Sequence, residues 1–68
     1  HVTMEQIRAL FEQHSEHVIM EEIHNGEFDY LLRFADGRED PYYYCFKDEG
    51  CHMIYHRFLP ADYKDFGF

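Results

Sequence analysis

Cysteine and basic side chains are scarce in this chain, and each shortage removes a class of protein. Two cysteines, Cys45 and Cys51, are too few for a disulfide framework. No apolar run approaches the ~20 residues that span a bilayer, and there is no signal-peptide pattern, so a cytoplasmic location is the expectation and no membrane partner is. Six Lys and Arg stand against fourteen Asp and Glu, a net charge of −8 with the histidines neutral. That excess disfavours nucleic acid and anionic membrane surfaces as direct ligands and makes a basic protein surface the natural partner. Gly-rich phosphate loops, nucleophile elbows and paired zinc-helix motifs are all missing, so neither an enzyme nor a cofactor is expected.

Length is short as well. The 68 residues form one small α+β domain, 1–68, and a chain of this size buries only roughly 60% of the surface its unfolded form exposes. An estimate of burial against chain entropy comes out near zero, so a metal, a disulfide, a partner or self-association would each add appreciable stability. His1-Val2-Thr3 precede Met4 and can be vector-derived, and the Phe66-Gly67-Phe68 ending can be a truncation.

Aromatics are abundant, seven Phe and six Tyr, far from the profile of a disordered chain. Thr3 followed by Gln6 has the form of a capping box, and Met4, Ile7, Leu10, Phe11 and His14 recur at helical spacing, predicting a helix over about 4–14. Asn25-Gly26 then sits between two alternating apolar/polar runs and predicts a hairpin with a two-residue turn, strands near 17–24 and 27–35. With His24 opposite Glu27, the pairs become Ile23 with Phe28, Glu21 with Tyr30, Ile19 with Leu32 and His17 with Phe34. Ile19, Ile23, Phe28, Tyr30, Leu32 and Phe34 then share one face, while Val18, Met20 and Leu31 fall on the other.

Asp36-Gly37 marks a second turn. Pro41 lacks a ladder donor, so a third strand is expected from Tyr42 to Phe46, a turn at Lys47-Asp48-Glu49-Gly50, and a fourth strand over Cys51–Phe58. Pro60 opens a short helical turn over Ala61–Phe66. The fold class is α+β: an N-terminal helix packed on a four-stranded antiparallel meander, with a short C-terminal helical turn. One helix covers one face, leaving the other for a partner, a second copy, or the C-terminal aromatics Tyr63, Phe66 and Phe68.

Two clusters carry possible chemistry. Glu21, Glu22, Glu27 and Asp29 crowd the first hairpin tip, and the expected register sets Glu22 directly across from Asp29, a repulsion that a surface without a basic partner has no reason to keep. Cys45, Cys51, His52 and His56 are residue types that zinc prefers, but their spacing does not match zinc fingers. On a strand, His52 and His56 share a face ~13 Å apart, too far for one ion. Pairing Lys47 with Gly50 places Cys45 opposite His52; pairing Phe46 with Gly50 places it opposite Cys51 instead. His14 and His17 straddle the helix–strand junction without an identifiable third ligand.

The leading expectation is a non-catalytic acidic interaction module that docks on a basic protein surface, as an inhibitor or nucleic-acid mimic does. The alternative is a small transition-metal-binding or redox-responsive domain using the Cys45–His56 segment. A third possibility is a homodimer formed through a sheet edge or an uncovered sheet face.

Overall fold

The computed structural model describes residues 2–14, 17–35 and 40–65. Helix α1 (Met4–Glu12) starts where the sequence places it, for the predicted reason. The Gln6 N–H donates to Thr3 Oγ1 at 3.2 Å, and the Thr3 N–H donates back to Gln6 Oε1 at 2.9 Å. These bonds satisfy two backbone donors that a bare helix start would leave open. The helix stops at its C-cap Gln13, short of the expected His14. Met4 and Ile7 are buried, Phe11 is half-buried, and Arg8 and Glu12 pair at 2.7 Å on the exposed side.

The strands β1 (Val18–Glu22), β2 (Tyr30–Phe34), β3 (Tyr43–Asp48) and β4 (Met53–Phe58) form one antiparallel sheet in the order β1-β2-β3-β4. This is the expected meander. A six-residue helix α2 (Pro60–Asp65) follows β4. The turn expected at Asp36-Gly37, and the aromatics Phe66 and Phe68, lie outside the described residues.

The first hairpin is shifted by one residue from the expected register. Glu22 pairs with Tyr30, Met20 with Leu32 and Val18 with Phe34. Asn25 is the cause: it stands at the corner of the turn instead of inside it. Its side-chain Oδ1 accepts from the N–H groups of Glu27 and Phe28, and its own N–H donates to the Phe28 carbonyl. A bulge follows, in which the N–H groups of both Ile23 and His24 point to the Asp29 carbonyl, and His24 takes a positive φ of 41°. The Glu22–Asp29 opposition therefore does not form.

The slip redistributes the faces, because strand side chains alternate with period two. Val18, Met20, Tyr30, Leu32, Tyr44 and Phe46 pack with Met4, Ile7 and Phe11 on the α1 side. Val18 and Met20 are thus under the helix, where the sequence reading had them uncovered; Ile19, expected beside Leu32, pairs with Arg33 and falls on the opposite face. Phe11 anchors the layer, its ring 4.9 Å from that of Tyr44 and 5.9 Å from that of Phe34. On the other face Phe28, Leu31 and Cys45 form a second buried cluster, packed by Ile23, Tyr43, Phe58 and Tyr63. Tyr63 brings α2 onto this face, its ring 5.1 Å from that of Tyr43.

The last hairpin also departs from expectation. Strand β3 runs on to Asp48 and β4 begins at Met53, so the connection is 49–52. The Glu49 N–H donates to the His52 carbonyl, and the Gly50 N–H donates to Asp48 Oδ1. Gly50 has φ 83°, which favours glycine.

Candidate functional site

A meander returns its first and third turns to the same end of the sheet. The β1–β2 tip and the β3–β4 tip therefore lie side by side, and Asp29 joins them. Its Oδ2 accepts the Asp48 N–H at 2.9 Å, across nineteen residues of sequence, while its Oδ1 lies 3.0 Å from His24 Nδ1. The Asp48 N–H bond and the His24 contact hold its carboxyl below the ordinary value of 3.8. Asp29 is consequently a structural clasp, which the sequence reading had grouped with the binding acids.

His24 is the second part of the device. Its bulged backbone swings the ring over Tyr30, with centroids 5.6 Å apart, and sets Nε2 4.0 Å from Glu22. An imidazole thus stands between the two carboxylates that the sequence had placed in direct opposition. Of the other predicted acids, Glu22 lies on the α1 face, Glu21 lies on the α2 face opposite Leu31, and Glu27 sits in the turn; all three are exposed.

Asp48 and Glu49 complete this end of the molecule, and sequence reasoning missed both as site residues. The signal was available in the predicted topology, since any meander brings turns one and three together. Among the described residues Glu21, Glu22, Glu27, Asp29, Asp48 and Glu49 then share an end with Lys47, whose Nζ is 3.9 Å from Glu49.

The four cysteine and histidine candidates are not brought together at one site. Cys45 pairs with His56, in neither of the two expected registers, and is fully buried; burial pushes its thiol up to about 11. Cys51 is exposed at the β3–β4 turn beside His52. Among the described residues no three His, Cys, Asp or Glu side chains converge as metal ligands would.

A groove of about 390 Å³ opens on the α1 side, lined by Val2, Ile7, Phe46, Cys51, His52, Met53 and Tyr55. At the far end of the sheet Asp40 accepts from the Tyr44 hydroxyl at 2.7 Å and from the Tyr42 N–H, while the Arg57 guanidinium stacks 4.4 Å over the Tyr42 ring. Burial, then the bond to Asp40, raises the Tyr44 hydroxyl to about 12.

Compared with known proteins, residues 1–67 match a family profile described as "Domain of unknown function, E. rectale Gene description (DUF3877)". The chain belongs to this family. No curated protein and no solved structure matches it significantly. Among its described residues no helix is long and apolar enough to cross a membrane.

Proposed function

We propose that this DUF3877 domain is a non-catalytic interaction module that docks its acidic hairpin end on a basic protein surface, as a small inhibitor or nucleic-acid mimic does. The observation that supports the reading is the Asp29–Asp48 clasp, which holds two acidic turns together at one end of a rigid sheet. Carboxylates carried on a preordered backbone cost less ordering entropy on binding than those of a disordered segment and steer a basic partner by long-range attraction. The docking side chains are Glu21, Glu22, Glu27 and Glu49, all exposed and none of them the clasp.

The test begins with gentle isolation of the protein from its source cells and native mass spectrometry of whatever remains bound. A basic protein in fixed ratio is the expected result, with an association rate that falls as salt is raised. Replacing Glu22, Glu27 and Glu49 together by Lys should abolish that complex while leaving far-UV circular dichroism unchanged. Equal affinity of this variant for the captured protein would end the proposal, as would isolation of the bare chain alone.

A further inference from the structure

The two edges of the sheet are built differently. Edge strand β1 is five residues long, carries Glu21 and Glu22, and is broken by the Ile23/His24 bulge. These are devices that keep an edge from pairing with other chains. Edge strand β4, Met-Ile-Tyr-His-Arg-Phe, carries one such charge, Arg57, but no carboxylate, no proline and no bulge, and keeps a regular ladder with β3, with Ile54 45% and Tyr55 61% exposed.

Hydrogen-bonding phase decides which groups that edge offers. The Glu49–His52 pair is hydrogen-bonded, and bonded pairs alternate along an antiparallel ladder, so Ile54, His56 and Phe58 bond inward to β3. The N–H and C=O groups of Met53, Tyr55 and Arg57 therefore project outward, and among the described residues no strand lies beyond them.

We propose that β4 pairs antiparallel with β4 of a second copy of this chain, with Tyr55 on the two-fold axis. In that register Met53 faces Arg57 of the second copy, and Ile54 faces its His56. No charged side chain meets a like charge. Asp48, the β3 neighbour of Met53, comes into one cross-sheet row with the second copy's Arg57, about 10 Å apart at the strand spacing of ~4.8 Å. The acidic ends point in opposite directions, which is how a chain of net charge −8 can meet itself. The rings of Phe46 and Tyr55, 5.7 Å apart, continue through the axis into the same pair of the second copy as one aromatic row. Strand pairing of this length buries less than the ~1,200 Å² of a standard stable interface, so the dimer forms reversibly in the micromolar to millimolar range.

Sedimentation velocity and amide hydrogen exchange of the whole chain, each over that concentration range, test the proposal. The expected result is a monomer–dimer equilibrium in which the Met53, Tyr55 and Arg57 amides become at least tenfold better protected in the dimer, while those of Ile54 and His56 do not change. Y55K places two like charges on the axis and should leave a folded monomer; E22K, on the other edge, should dimerise as the original does. A monomer at every concentration overturns the proposal. So does a dimer that leaves the three outward amides fast, and so does open-ended growth of the kind that β4-to-β1 pairing would give. If Y55K fails to fold, the exchange pattern of the unaltered chain decides alone. The acidic-end variant alters Glu22 on edge strand β1 but no residue of β4, so this inference and the proposed function fail separately.

Discussion

Asp29 shows how one residue can be right in chemistry and wrong in role. As an acid on a hairpin tip it read as a contact for a partner, yet its two oxygens are taken up by the Asp48 N–H and by His24. Its lowered carboxyl has a consequence for pH. A carboxylate whose folded pKa lies below the unfolded one stabilises the fold above the unfolded value, and that contribution is lost as pH falls through the folded value. The Asp29 contribution is therefore complete well above 3.8 and disappears as pH drops below it. Asp29→Asn should lower the urea midpoint at neutral pH, and the gap between the two proteins should shrink as pH falls below 3.8. An equal gap at pH 3 and pH 7 would mean that the charge does not hold the tips together.

At the scale of elements, the helix was readable because its determinants are local: Thr3, Gln6 and the stripe Met4, Ile7, Phe11 all lie within three turns. The hairpins were readable as hairpins but not in register. Asn25-Gly26 located the first, but whether Asn25 sits inside the turn or caps it from the corner depends on which backbone groups its side chain reaches, and one position reverses every face. The last turn was misplaced by a similar margin, because Lys47 and Asp48, turn-forming by propensity, extend β3 once Ile54 and Met53 are there to pair with them. Its Gly50 offers a direct check. At φ 83° with nothing within 4 Å of an added Cβ, Gly50→Ala meets only backbone strain, so it should cost about 1 kcal/mol in chemical denaturation with no change in fold. A neutral result would show that the turn relaxes to another type.

The whole molecule is thin, with principal extents of 32 × 29 × 15 Å, and carries its −8 charge on a small core. Self-repulsion of that charge opposes folding, while the exposed pairs Arg8–Glu12 and Lys47–Glu49 return little. Screening should therefore help: the melting temperature is expected to rise as sodium chloride goes from near zero to about 0.15 M, where the Debye length is about 8 Å. The Glu22, Glu27, Glu49 triple lysine variant should flatten that rise. A melting temperature that falls with salt would assign the balance to the ion pairs instead.

By itself the sequence determined the element types and their order, the capped start of α1, the meander and the overall charge, because these follow from spacing, propensity and short connections. The tertiary structure alone decided which face each strand residue joined, that Cys45 lies opposite His56, that α2 closes over Cys45 through Tyr63, and that two acidic turns meet. Those outcomes depend on bonds between residues far apart in the chain, above all Asp29 with Asp48, and on a one-residue bulge whose effect alternates along every strand it precedes.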